Sequence, residues 1–158
     1  MKVYRGLTKT YNTNYKQDIV WVSTSFEHAS MYSEGSKEGT VLCFEINDFS
    51  LHYIDLGFRS VETEVKMEEL ISRIKPYILE QYEKKVISKE KALQLMKSLS
   101  KITSTGYKQV WEHVHDKNLI AIFQEAGFNA IRQNEGLLKY KGNVVTYGIL
   151  DKRLLRAC

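Results

Sequence analysis

The feature that most constrains this fold is a change of hydrophobic period along the chain. Residues 2–57 contain β-branched and aromatic runs that are typical of strands. Residues 60–126 carry apolar side chains at helical spacing, and residues 128–151 return to strand-like runs. This order of strands, helices and strands favours an α+β fold over an alternating βαβ fold. The Gly-x-Gly-x-x-Gly motif of a Rossmann domain is absent from the sequence.

The same patterns predict the individual elements. Strands are expected over 2–7, 19–25, 40–46, 52–56, 128–131 and 144–150, with a short helix over 26–33. Ser88 is the predicted N-cap of a helix over 89–99. A helix over 61–74 is expected to break at Pro76, because proline lacks the amide donor. Gly127 is expected to end the last helix, and residues 141–143 to form a turn.

Length, charge and cysteine content are those of an ordinary globular chain. The 158 residues fit a single domain, and the net charge of +4 is not gathered into the basic stripe of a nucleic-acid binder. Cys43 is expected to be a buried free thiol and Cys158 a loose terminal residue, a usage that fits a reducing compartment. Because no apolar run resembles a signal peptide or a membrane span, the sequence predicts a cytoplasmic protein without a membrane partner.

Three short motifs carry residue types suited to a charged ligand. They are Tyr-Arg-Gly at 4–6, Ser-Thr-Ser at 23–25 with Tyr32 on the following helix, and Gln-Asn-Glu at 133–135. An arginine fork suits a phosphate, and a glycine lets the backbone approach a ligand closely. An aromatic face suits a flat cation, and a carboxylate can stabilise positive charge that develops in a transition state.

In this order the motifs resemble the ADP-ribosyltransferase superfamily of the arginine–serine–glutamate type. The resemblance covers residues 2–33 and 127–151 and extends to small phage-borne and toxin members, including anti-CRISPR ADP-ribosyltransferases. It implies a split β-sheet core with a helical layer inserted in the middle of the chain. It also implies NAD as the substrate, transfer of ADP-ribose to a macromolecular acceptor with release of nicotinamide, and no metal. A host protein is the expected acceptor, and a nucleic acid is the alternative.

The resemblance also implies roles for single residues. Glu135 would stabilise the oxocarbenium-like ribose, and Gln133 would position the acceptor. Arginine-modifying members carry glutamate where this chain has Gln133, so arginine is a less favoured acceptor, and asparagine, another side chain or a nucleic acid stays open. The implied NAD-binding residues are Tyr4, Arg5, Gly6, Ser23, Thr24, Ser25 and Tyr32. We expect Arg5 and Glu135 to line one cleft with Ser23 at its floor.

Other functions are compatible with the same residues. Water could replace the acceptor, which would make the protein an NAD glycohydrolase toxin, or the chain could be a non-catalytic binding protein on a decayed transferase scaffold. His113 and His115 lack the spacing of metal ligands. The helical segment 60–126 is expected to serve acceptor choice, with plain covering of the sheet as the alternative.

Overall fold

The computed structural model describes residues 1–7, 18–33, 40–58, 64–135 and 143–158. They form a mixed α+β structure, as the order of sequence patterns predicts. The chain divides into two compact units, one of Met1–Phe58 with Ala130–Cys158 and one of Arg59–Asn129. None of the helices in the described ranges is long and apolar enough to cross a bilayer.

The main elements follow one another along the chain. In chain order they are β1 (Lys2–Leu7), β2 (Val20–Ser23), α1 (Phe26–Met31), β3 (Thr40–Glu45), β4 (Tyr53–Phe58), β5 (Glu64–Val65), α2 (Met67–Glu83), α3 (Lys89–Lys101), β6 (Lys108–Gln109), α4 (Val110–His113), α5 (Lys117–Glu125), β7 (Ala130–Asn134), β8 (Val145–Ile149) and β9 (Arg156–Ala157). Short 3₁₀ turns cover Asp48–Ser50 and Lys152–Leu154.

The first unit is built on a seven-stranded sheet with the order β4-β7-β8-β2-β1-β3-β9. Strands β4 and β7 are parallel, and the other neighbours are antiparallel. An apolar cluster lies on one face; its buried members are Val3, Val20, Val22, Ile46, Ala130, Tyr147 and Ile149. Burial of these apolar side chains stabilises the packing of the sheet against the partly buried hydrophobic residues around it.

The sheet is nearly divided between β1 and β2. Among the described residues, these strands share a single Cα pair, Tyr4 with Ser23. In contrast, β1 shares six pairs with β3, and β2 shares four with β8. Beyond Tyr4 and Ser23 the two strands are therefore not paired along their lengths, which leaves a split in the middle of the sheet.

The second unit holds four helices and the two-stranded sheet of β5 and β6. Helix α3 begins where the sequence predicts, since the Ser88 side chain accepts a hydrogen bond from the Lys91 N–H at 3.1 Å. Gly127 follows α5 with a φ of 90°, the left-handed conformation that a helix-ending glycine adopts. Both of these predictions are confirmed.

The predicted break at Pro76 is wrong, because α2 runs through this residue from Met67 to Glu83. Pro76 lies on the exposed side of the helix, whereas Leu70, Ile74 and Ile78 form one fully buried stripe across it. Burial of this stripe outweighs the cost of a mid-helix proline, about 3 kcal/mol. The predicted start at 61 is also wrong, since Val65 belongs to β5; residues 59–63 and 141–142 lie outside the described residues.

The predictions for the two cysteines are wrong as well. Cys43 and Cys158 form a disulfide, with their Cα atoms 5.6 Å apart and 115 residues between them in sequence. Strand β9 pairs with β3 through Phe44 and Ala157, and this register brings the terminal residue beside Cys43. The two-residue strand β9 is too short to show a period in the sequence. The cysteines consequently provide no argument for a reducing compartment.

Candidate functional site

A row of polar side chains crosses the middle of the sheet. Tyr4, Ser23, Thr146 and Gln133 are successive Cα partners on β1, β2, β8 and β7. Directly opposed residues in antiparallel strands point to the same face, so all four side chains lie on one side of the sheet. Ser23, Thr146 and Gln133 are only 3 %, 6 % and 2 % exposed. Buried polar groups are costly unless they are hydrogen-bonded, so the partners of these side chains decide what the row can do.

Glu135 extends this row at the end of β7. Its N–H donates to the Val144 carbonyl oxygen at 2.9 Å, which continues the β7–β8 pairing by one residue. The Thr146 hydroxyl donates to Oε1 of Glu135 at 2.5 Å, and Glu135 is 6 % exposed. A short bond to a carboxylate oxygen is among the stronger hydrogen bonds in proteins. Strand β8 thus fixes the orientation of a buried carboxylate.

The three hydroxyls of the Ser-Thr-Ser motif have different partners. Ser23 Oγ accepts the Ser25 N–H at 3.1 Å and lies 3.0 Å from Nδ1 of His28. Thr24 Oγ1 donates to the Val145 carbonyl oxygen at 3.2 Å and accepts the Val145 N–H at 3.1 Å. Ser25 Oγ accepts the His28 N–H at 3.1 Å and caps α1. Only Ser23 belongs to the polar row, and the contacts of Thr24 and Ser25 are those of structural residues.

Gly6 lies beneath α1, where a side chain has no room. A Cβ atom at this position would be 2.1 Å from the carbonyl oxygen of Ala29. Close packing of α1 on β1 therefore requires a glycine here, and the predicted contact of its backbone with NAD stays a prediction. Tyr32 follows α1, is 50 % exposed, and its ring stands edge-on to His28 with centroids 5.4 Å apart. Tyr32 is connected to the polar row through His28, whose Nδ1 lies 3.0 Å from Ser23 Oγ.

The side chain of Arg5 also lies off the polar row. It directly follows Tyr4 in β1, and alternation along the strand turns it to the opposite face, on which Val3 contributes to the apolar cluster. The side chains of Arg5, Ser23 and Glu135 consequently do not line one face as expected. The face on which each side chain lies depends on the strand register, which the order of motifs in the sequence does not predict. Arg5 lies instead beside the split between β1 and β2.

No family model, curated protein or solved structure matches the chain. In the described ranges, no group of three or more histidine, cysteine or acidic side chains could hold a metal ion. His113 has a structural environment in the second unit, where its Nε2 lies 2.9 Å from the Val65 carbonyl oxygen and the residue is buried.

Two residues of the site were missed in the sequence. Thr146 interrupts an apolar strand with a hydroxyl, a signal that becomes informative only when the pairing with Ser23 and Gln133 is known. His28 lies on α1, and its ring contacts Ser23 at the end of β2, a contact that no signal in the sequence indicates. Both contacts depend on three-dimensional pairing that motif spacing does not contain.

A second polar cluster lies on the opposite face of the sheet. Arg132 of β7 forms an ion pair with Asp55 of β4, and its guanidinium carbon lies 6.0 Å from the centroid of the Tyr53 ring. Burial raises the pKa of Tyr147, which neighbours Arg132 across the β7–β8 pair. This cluster ties the parallel edge strand β4 to β7, and we assign it a structural role.

A surface cavity of about 420 Å³ is formed near the start of β1. The residues that line it are Met1, Lys2, Glu45, Ile46, Asn47, Ser50, Arg153, Leu154 and Arg156. None of them belongs to the polar row. The buried carboxylate, and not this cavity, is therefore the chemically distinctive feature of the first unit.

Proposed function

We propose that the chain is an NAD-dependent ADP-ribosyltransferase of the arginine–serine–glutamate type. It would transfer ADP-ribose from NAD to a macromolecular acceptor, most simply a protein, and release nicotinamide. The observation that supports this most is the buried Glu135 carboxylate, held by Thr146 on the face that also carries Ser23. The split beside Ser23 agrees with the split sheet that the family resemblance implies.

The proposed reaction breaks the bond between nicotinamide and C1′ of the ribose. The electron pair leaves with nicotinamide, which becomes neutral, and positive charge develops on the ribose. Glu135 would stabilise that charge in the transition state more than in the ground state. The acceptor's nucleophile then bonds to C1′ and loses its proton. Glycosidases use carboxylates for the same electrostatic reason.

The residues around Glu135 suggest how NAD would lie. The ribose would meet Ser23 and Glu135, and the exposed ring of Tyr32 would contact the cationic nicotinamide. Arg5 lies on the opposite face of the sheet, which is the observation against the pyrophosphate contact that the family resemblance implies.

Water is the second candidate acceptor. Gln133, expected to position a macromolecular acceptor, is only 2 % exposed, and a side chain so enclosed is poorly placed to contact a large partner. A small acceptor such as water needs no such contact. NAD hydrolysis is therefore supported by the burial of Gln133, and transfer by the family resemblance.

We propose the cytoplasm of the producing or host cell as the place of action, because NAD and the macromolecular acceptors are held there. The Cys43–Cys158 disulfide is the observation against this location, since disulfides persist mainly in oxidising compartments. Counting free thiols in protein taken from the cytoplasm without reductant tests it directly.

Incubation with NAD labelled in its adenylate half and a cell lysate tests the proposed activity. A labelled macromolecule whose label resists denaturing wash supports transfer. Free labelled ADP-ribose without labelled macromolecules supports hydrolysis. Intact NAD after prolonged incubation with folded protein contradicts both activities and favours a binding protein on a decayed scaffold.

A further inference from the structure

His28 is a buried titratable side chain beside the site that the proposed reaction does not use. It lies on α1, is 2 % exposed, and its Nδ1 is 3.0 Å from Ser23 Oγ. No sequence motif of the family pointed to it. Its contact with Ser23 restricts the directions in which the Ser23 hydroxyl can form further hydrogen bonds.

A serine hydroxyl has one proton and two lone pairs. In Ser23, one lone pair accepts the Ser25 N–H at 3.1 Å, and a second bond joins the oxygen to His28 Nδ1. If Nδ1 carries the proton, the hydroxyl proton of Ser23 is left for another acceptor. If Nδ1 is unprotonated, the Ser23 proton points to His28 and a lone pair is left for a donor. In both cases His28 stops free rotation of the hydroxyl and leaves one direction for a ligand.

The imidazole ring is itself held in place. His28 is 2 % exposed and its ring stands edge-on to Tyr32, and the His28 backbone N–H donates to Ser25 Oγ, which fixes the first turn of α1. Ser23, Ser25 and His28 are thus linked by hydrogen bonds between the end of β2 and the first turn of α1. A hydroxyl linked in this way is preorganised before a ligand arrives, which lowers the cost of orienting it in the transition state.

We propose that His28 is a positioning residue that directs the Ser23 hydroxyl toward the NAD ribose. Two separate contacts then prepare the site: Thr146 orients the Glu135 carboxylate, and His28 orients the Ser23 hydroxyl. The inference rests on the proposed function, because it assigns Ser23 a substrate contact in that reaction.

A double-mutant cycle between His28 and Ser23 tests the inference. The proteins are the parent, His28→Leu, Ser23→Ala and the double variant, with nicotinamide release followed over a range of NAD concentrations. His28→Asn can offer an amide near the position of Nδ1, whereas His28→Gln places its amide near Nε2. Both of these variants keep a polar side chain. If His28→Leu does not fold, the difference in kcat between His28→Asn and His28→Gln tests the inference instead.

We expect His28→Leu to lower kcat by about 10- to 100-fold, which is the size of effect that misplacing a group in an active site can have, with a much smaller change in KM. His28→Asn should retain most of the activity, and His28→Gln should lose as much activity as His28→Leu. In the Ser23→Ala background, His28→Leu should change kcat by less than about twofold, because the effect of His28 passes through the Ser23 hydroxyl.

Two results overturn the inference alone, given an active parent. One is unchanged kcat in His28→Leu and His28→Gln. The other is the same loss in both serine backgrounds, which would indicate that His28 acts through packing of α1. A folded parent that releases no nicotinamide overturns the proposed function and this inference with it.

Discussion

The bond from the Thr146 hydroxyl to the Glu135 carboxylate joins β8 to the end of β7 and is the contact on which the proposed site most depends. Thr146→Val keeps the shape and removes the donor. A hydrogen bond to a charged group contributes about 1.5–3 kcal/mol, so kcat/KM for NAD should fall by about 10- to 100-fold. Thr146→Ser keeps the hydroxyl and should remain close to the parent. Nicotinamide release is the measurement, and parental activity in the valine variant would exclude Thr146 from the mechanism.

Arg5 gives a second prediction at the residue scale, because its side chain lies on the other face of the sheet from Ser23. If Arg5 nevertheless contacts the pyrophosphate, as the family resemblance implies, Arg5→Ala removes a charge-assisted contact worth about 1.5–3 kcal/mol and weakens NAD binding by about 10- to 100-fold. Arg153, exposed and paired with Asp151, provides the control as Arg153→Ala. Calorimetry that finds equal affinity in the parent and Arg5→Ala would remove Arg5 from the site.

Single residues show where inference from the sequence stops. The sequence selects Ser23 and Glu135, which the structure brings to one face through their shared neighbour Thr146. The direction of Arg5 could not be predicted, because a one-residue change of register reverses which face a side chain occupies. The close packing of α1 on Gly6 could not be predicted either, because it depends on where the helix lies over the sheet.

At the scale of secondary-structure elements, the sequence predicts the ends of a helix or strand where residues within that element determine them. The bounds of β1 match the predicted 2–7, and Ser88 caps α3 as predicted. Local signals failed where distant packing decides, as at Pro76 inside α2. They also failed for β5, β6 and β9, two-residue strands that exist only through their pairing.

Pro76 provides the element-scale prediction. Pro76→Ala restores a backbone donor within α2 and removes a ring that clashes with the preceding turn. The free energy of unfolding should rise by about 1–3 kcal/mol, less the entropy that proline removes from the unfolded chain. Urea unfolding measures the change, with Arg73→Ala on the exposed side of α2 as the control. A destabilised Pro76→Ala would show that the ring makes a packing contribution that its exposure does not suggest.

At the scale of the whole molecule, the change of hydrophobic period predicts the α+β class. The helical segment expected over 60–126 lies within the unit Arg59–Asn129. The link between Cys43 and Cys158 could not be predicted, because it depends on pairing of β9 with β3 across 115 residues. Long-range pairing of this kind leaves no periodic signal in the sequence.

The disulfide gives the whole-molecule prediction. Closing so long a loop restricts the unfolded chain, and removing such a bond costs typically about 2–5 kcal/mol. Cys158→Ser should therefore lower the urea midpoint, and a reducing agent should lower the midpoint of the parent to a similar value. The variant itself should not respond to the reducing agent. A parent midpoint that is the same with and without reductant would contradict a stabilising disulfide.

The most direct test of the proposed catalytic site compares NAD cleavage by the parent and Glu135→Gln. The amide keeps the shape of the side chain and removes the charge that would stabilise the oxocarbenium-like ribose. We predict that Glu135→Gln binds NAD with nearly the parental affinity and loses at least about 100-fold in kcat, whereas the exposed control Glu83→Gln keeps the parental kcat. Release of nicotinamide by Glu135→Gln at the parental rate would contradict the assignment of Glu135 as the catalytic carboxylate.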